Sequence, residues 1–194
     1  MQTKKTDNHN PASKLALRHY FLAKYHRPPA ELHVIDCCQG SGRLWAELER
    51  DFPPTSYFGV DLKPQKGRLK IDSVRILDQP GWTANVIDID TYGSPWKHWL
   101  ALLRNCAQPA TVFLTIGLVR VGGGNFDHAL LPLMGLTFKQ LELPNALGAK
   151  LDALALAHAL SQPGAHGLRA VEAMEAPNQG NARYLGIRLE RAKS

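Results

Sequence analysis

The stretch Leu32-His-Val-Ile-Asp-Cys-Cys-Gln-Gly-Ser-Gly-Arg43 constrains this chain more than any other. A short apolar run ends in Asp36, a turn containing Gly40 and Gly42 follows, and Leu44 to Arg50 has the composition of a helix. Cys38 stands where a nucleotide-binding loop commonly has its first glycine. Strand, glycine turn and helix make the opening unit of a nucleotide-binding α/β domain. The glycines let backbone approach a ligand, and a helix start offers N–H groups that have no partner inside the helix. Tyr57 to Leu62 is a second short apolar run, with Asp61 25 positions after Asp36. An acid at the end of the second strand, about 20 residues on, accepts from ribose hydroxyls. Arg68 to Ser73 reads as a third strand with Asp72 at its end. Asn85 to Asp90 reads as a fourth, with Asp88 and Asp90 on one face. The carboxylates thereby gather along one sheet edge, the edge at which open α/β sheets bind ligands.

The rest of the chain fits one domain built on that sheet. Its 194 residues are 44% hydrophobic and 21% charged, ordinary values for a single globular unit. Residues 1–11 are polar and read as a disordered tail, and residues 12–194 as one domain. Pro11 to Tyr25 reads as a helix with Leu17, Tyr20, Phe21 and Lys24 near one face and Lys14 and Arg18 a turn apart on another. Arg27-Pro-Pro29 ends it. Between Leu62 and Arg68, Pro64 and Gly67 leave no room for a full crossover helix. Ser94 and Pro95 open a helix through Trp96, Trp99, Leu100 and Leu103. Ala110 to Ile116 is a fifth strand, and the connection after it, with Gly122 to Gly124, is a candidate lid. Asn145 to Leu160 reads as an apolar helix. Leu168 to Met174 and Ala182 to Leu189 flank a Pro177-Asn-Gln-Gly180 turn and close the chain as an antiparallel β-hairpin.

Composition narrows the function classes. Three cysteines, two of them adjacent and none in a Cys-x-x-Cys pair, argue against a disulfide framework and a structural zinc site. The histidines show no metal-ligand spacing, so no metal is expected. Reduced cysteines, an N-terminus unlike a secretory signal and the lack of a membrane-length apolar run together point to the cytoplasm. The net charge is +6. Basic residues concentrate in Lys4, Lys5, Lys14, Arg18, Lys24 and Arg27, and again in Lys63, Lys66, Arg68, Lys70 and Arg75. Such clusters suit a polyanionic partner such as nucleic acid, or simply a basic soluble surface.

Val34 to Gly42 and Gly59 to Asp61 resemble the first two motifs of class I S-adenosylmethionine-dependent methyltransferases. Ile87-Asp-Ile-Asp-Thr-Tyr-Gly-Ser-Pro95 resembles the fourth. It is most similar to the Asp-Pro-Phe-Gly-Ser-Pro stretch of tRNA guanine dimethyltransferases, which methylate an exocyclic amine, with Thr91 and Tyr92 in place of Pro and Phe. The resemblance implies a Rossmann-like class I methyltransferase fold, a mostly parallel sheet with helices on both faces. It implies RNA rather than DNA as the nucleic-acid partner and S-adenosylmethionine as cofactor, held around Asp36, Cys38, Gly40, Gly42 and Asp61, with Asp72 and Ser73 facing the adenine amine. Asp90 and the backbone carbonyl of Thr91 would then accept the N–H bonds of a substrate amine, and Tyr92 would stack on a flat base. A ring-conjugated amine is a poor nucleophile because its lone pair is delocalised, and such acceptors favour its pyramidal, reactive form. Cys38 is expected to be an inert thiol. Two other readings compete. A non-catalytic interaction module on the same fold would suit Cys38 and Thr91 at motif positions. A nicotinamide-dependent dehydrogenase is disfavoured by the closing hairpin and by Asp90-Thr-Tyr-Gly.

Overall fold

A computed structural model describes residues 10–63, 69–91, 94–117, 156–176 and 182–192. The elements in order are α1 (Pro11–Tyr25), β1 (His33–Asp36), α2 (Arg43–Leu48), β2 (Ser56–Asp61), β3 (Leu69–Lys70), α3 (Ser73–Leu77), β4 (Val86–Ile89), α4 (Trp96–Asn105) and β5 (Ala110–Gly117). A helical stretch over 156–161 runs into a 3-10 turn, Gln162–His166. Then come β6 (Leu168–Ala176) and β7 (Ala182–Arg191).

The seven strands form one sheet in the order β3-β2-β1-β4-β5-β7-β6. β1 to β5 run parallel to one another, whereas β7 runs antiparallel to both β5 and β6. The closing hairpin is therefore inserted, not appended: its second strand lies between β5 and its first strand. This order separates the fold from the six-stranded parallel order of dinucleotide-binding dehydrogenases.

Side chains alternate across the sheet and make two cores. Ile35, Ile87, Ile89, Val112, Leu114 and Ile187 face α3 and α4, against Leu77, Trp99 and Leu102. Val34, Val86 and Phe113 face α1 and α2, against Leu17, Phe21, Trp45 and Leu48. Asp36, Asp88 and Asp90 carry the parity of the second set, so their carboxylates enter the interface with α1.

The inward face of α1 differs from the sequence expectation. Lys14, Leu17, Arg18, Phe21 and Leu22 are buried, while Tyr20 and Lys24 are exposed. Two cations thus occupy the i and i+4 positions of the core-facing stripe, because the sheet opposite presents carboxylates. Smaller differences follow from local geometry. The third strand is only two residues long. Asp72 leaves it to cap α3, accepting from the Val74 N–H at 3.0 Å. Pro95 takes the cap position of α4, one residue before the helix begins. The expected tail over residues 1–11 is cut short at its end, where Asn10 takes the cap position and Pro11 begins α1; residues 1–9, the expected glycine lid, Tyr92, the Pro177–Gly180 turn and all but the end of the apolar helix lie outside the described residues. Among the described residues no helix is long and apolar enough to cross a membrane.

Candidate active site

The strand ends converge at the carboxyl edge of β1, β2 and β4. The loop after β1 is tied to its neighbours through backbone: Cys37 N–H donates to the Asp88 carbonyl at 2.8 Å and Gln39 N–H to the Val60 carbonyl at 3.0 Å. Gly40 and Gly42 both hold positive φ, 52° and 69°, conformations that favour glycine. The loop therefore presents backbone at the edge, not side chains.

Asp61, at the end of β2, fastens this loop. Its Oδ2 accepts the Gly40 N–H at 3.0 Å and its Oδ1 accepts the Lys63 N–H at 2.8 Å. Beside it, Leu62 is the most exposed large apolar residue described, at 59%. Asp72 is committed to the α3 cap. Ser73 is buried, its hydroxyl 2.8 Å from His98 Nε2. Burial lowers the His98 pKa despite the opposing charge of Asp72. Cys38 is half-buried in the loop. Burial, with the charges of Asp61, Asp36, Asp90 and Asp88 around it, pushes its thiol pKa far up, so it stays protonated and inert.

Behind the loop lies a buried charge cluster. Asp36 pairs in register with Asp88 on the adjacent strand. Arg18 meets Asp88 with both sides of its fork, Nε to Oδ2 at 2.8 Å and Nη2 to Oδ1 at 2.6 Å, and Trp45 Nε1 donates to Oδ2 at 2.9 Å. Arg18 and Asp88 side chains are each 2% exposed. Asp36 instead accepts from the Tyr57 hydroxyl at 2.7 Å, and that oxygen accepts from Gln39 Nε2 at 3.1 Å. Burial, reinforced by the charge of Asp88, pushes the Asp36 pKa up to about 8. Asp36 is thus a largely neutral support beneath the loop at pH 7.

Asp90 lies at the mouth of this cluster, its side chain 22% exposed. Lys14 Nζ contacts both its oxygens, Oδ1 at 2.7 Å and Oδ2 at 2.6 Å, and Thr115 Oγ1 donates to Oδ1 at 2.6 Å. Burial alone would raise the Asp90 pKa, but Arg18, Lys14 and the Thr115 bond outweigh it and hold the group ionised. Thr91 is buried, and its hydroxyl reaches the Thr115 carbonyl at 3.4 Å. That bond ties the segment to β5 where the related motif has a proline.

Lys14 and Arg18 are the residues that sequence reasoning misplaced. The signal was present: positions 14, 17, 18, 21 and 22 follow the i, i+3, i+4, i+7, i+8 pattern of a core-facing stripe. Two charges at stripe positions ask for buried partners. The same burial withdraws both from any phosphate-binding surface, and Lys24 is engaged with Glu172 at 3.0 Å. Among the described residues no group of three His, Cys, Asp or Glu side chains could hold a metal ion. An open groove of about 580 Å³, lined by Phe58, Arg75, Ile76 and Trp82 among others, touches none of the strand-end acids.

The strand order, the antiparallel β7 and the glycine turn after β1 define a class I methyltransferase fold. No protein-family model matches the chain, and no curated protein matches it significantly. Solved structures do. Trm1 from Pyrococcus horikoshii in complex with S-adenosyl-L-methionine superposes with a TM-score of 0.60 at 14% identity, covering 99% of this chain and 59% of that one. A Burkholderia thailandensis 1,6-didemethyltoxoflavin-N1-methyltransferase with bound S-adenosylhomocysteine gives 0.53 at 13% identity, covering 95% and 80%. TrmN from Thermus thermophilus gives 0.53 at 16% identity, covering 93% and 48%. The chain thus spans about three-fifths of the length of Trm1 and about half that of TrmN.

Proposed function

We propose that this chain is an S-adenosylmethionine-dependent methyltransferase that transfers a methyl group to an amino nitrogen on a flat base, with tRNA-like nucleic acid as the acceptor class. The observation that carries the reading is the bonding state of Asp61. A carboxylate offers about four lone-pair positions. Among the described residues, Asp61 spends one on each oxygen to hold the loop. The remaining two, one per oxygen, match the vicinal hydroxyls of a ribose. The same residue therefore shapes the glycine loop and offers acceptors to the sugar that would sit against it. Gly40 and Gly42 would leave room for the amino-acid part of the cofactor, and the exposed Leu62 would supply an apolar surface for its adenine. Asp72 spends one acceptor position on the α3 cap and Ser73 meets His98, and the positions left on the Asp72 carboxylate would serve the adenine amine.

Bound at this edge, S-adenosylmethionine supplies an electrophilic methyl on a sulfonium. The chain's part is to position the amine and accept its N–H bonds. Among the described residues Asp90 has three of its positions filled, by Lys14 twice and Thr115 once, which leaves one on Oδ2 for a substrate N–H. The backbone carbonyl of Thr91 is a second acceptor. Because Asp90 stays ionised, it is a pure acceptor throughout.

Support for a nucleic-acid acceptor comes from two sides. The fourth motif resembles that of tRNA guanine dimethyltransferases, on a fold shared with Trm1 in complex with S-adenosyl-L-methionine. Lys63, Lys70 and Arg75 are exposed near the same edge and would meet phosphates. The test is calorimetric titration of the purified chain with S-adenosylmethionine. Wild type should bind, and Asp61→Ala should bind at least tenfold more weakly while keeping a cooperative thermal transition. No binding by wild type would overturn the enzyme reading and favour a non-catalytic module.

A further inference from the structure

Lys14 is not a surface lysine that happens to reach an acid. It is 4% exposed, it touches both oxygens of Asp90, and its ammonium stands 4.9 Å from the centroid of the Tyr184 ring. The helix that carries it is anchored along its length. Arg18 forks onto Asp88 one turn further on. Phe21 packs against the glycine backbone of β7 at Gly186. Tyr20, Tyr25 and Lys24 all bond Glu172 on β6. The ammonium is thus a fixed part of the wall beside Asp90.

The charges behind that wall balance. Asp88 is matched by Arg18 and Asp90 by Lys14, while Asp36 is largely neutral. A bare carboxylate at the mouth of a cleft attracts an ammonium ion. This one has its charge already compensated from within, so a cation approaching Asp90 would meet the Lys14 ammonium at short range with no unmatched charge on that carboxylate in return. An alkylamine, with a pKa of about 10, is protonated at neutral pH. It would also face the cofactor's sulfonium. A ring-conjugated amine carries no charge and needs only acceptors for its N–H bonds, and one such position remains on Asp90.

We propose that Lys14 is a specificity-determining residue: its fixed ammonium makes the Asp90 position select neutral, ring-conjugated amines and reject alkylammonium groups such as those of polyamines and lysine side chains. This rests on Asp90 being the substrate acceptor. In transfer to a neutral amine the nitrogen lone pair forms the new N–CH3 bond, the S–CH3 pair stays on sulfur as a thioether, and one N–H proton leaves to solvent. An ammonium has no lone pair to begin this step, so rejecting it also avoids an unproductive occupant.

The test compares wild type with Lys14→Met and Lys14→Gln, the second keeping polarity if the first folds poorly. Cadaverine, as the alkylammonium probe, and cytidine and guanosine, as neutral amine probes, are titrated with and without saturating S-adenosylhomocysteine. Transfer of labelled methyl to each is measured alongside. Either variant should bind cadaverine at least tenfold more tightly than wild type, and adding Asp90→Asn should abolish that gain. Nucleoside binding should change less than threefold. Equal cadaverine binding by wild type and both variants would overturn the inference, as would methyl transfer to cadaverine by wild type. Absence of S-adenosylhomocysteine binding would count against the methyltransferase reading alone, because the cadaverine titrations without it still report on Lys14.

Discussion

The Arg18–Asp88 pair makes a quantitative prediction about what holds α1 on the sheet. Both side chains are 2% exposed, and their two contacts are 2.8 and 2.6 Å. Arg18→Met keeps the volume of the stem but leaves Asp88 buried with the Trp45 indole as its remaining side-chain partner. Removing one member of a buried ion pair costs about 3–5 kcal/mol, mostly as the burden of the orphaned charge. The guanidinium also stands 4.9 Å from the Phe113 ring centroid, a contact worth up to about 2 kcal/mol when desolvated. In Arg18→Met/Asp88→Asn no charge is stranded, and the asparagine oxygen still accepts from Trp45. The double variant should therefore be less destabilised than the sum of the singles, with a coupling of about 2–3 kcal/mol. Urea unfolding followed by tryptophan fluorescence measures all four species, and Trp45 reports from beside the pair. A cost below about 1 kcal/mol for Arg18→Met, or a coupling within about 0.5 kcal/mol of zero, would refute the reasoning. It would mean that solvent reaches Asp88 when Arg18 is gone.

Two further outcomes follow from buried contacts away from the acids. His26 is 4% exposed, with Nε2 2.9 Å from Thr111 Oγ1, and burial together with the charge of Arg188 lowers its pKa to about 4. The unfolded chain then binds this proton more readily than the folded one, so the contribution is full above pH 6.5 and is lost as pH falls from there through 4. It amounts to about 3 kcal/mol. Unfolding free energies of wild type and His26→Gln should converge across that window, and parallel curves would disprove the assignment. Gly186→Ala would place a Cβ 2.5 Å from Phe21 Cε2, on a ring with no exposed surface. The ring must shift, at about 1–3 kcal/mol, which a thermal melt would show as a lower midpoint. Phe21→Leu in the same background should recover part of the loss.

Much of the architecture was legible in the chain because it depends on near neighbours. Strands ending in acids, a glycine turn before a short helix and a closing hairpin are read over windows of a few residues, and each has its counterpart in the sheet. The acids were also placed on one edge correctly, since every parallel strand points the same way. What escaped was pairing. Read from the sequence, Leu17 and Phe21 group with Tyr20 and Lys24, and Lys14 and Arg18 fall on another face. Here Lys14 and Arg18 took core-facing positions, since their partners Asp90 and Asp88 lie 76 and 70 residues away. Likewise, Asp72 looked like one more strand-end acid, but the third strand stops early and the residue turns to cap the next helix.

The sequence by itself determined the strand-turn-helix opening, the acid at the end of each of the first parallel strands and the alternation that sorts side chains to two faces. These follow from backbone sterics and a period of two, which any short segment carries within itself. Only the tertiary structure decided that β7 enters between β5 and β6. Only it decided that Asp36 is a largely neutral support, that Asp61 holds the glycine loop with one bond from each oxygen, and that Asp90 is already matched by a buried lysine. Each of these depends on which charge lies beside which in a water-poor interior, where a contact of a few ångströms sets protonation and bonding capacity, and that is settled when the sheet is assembled.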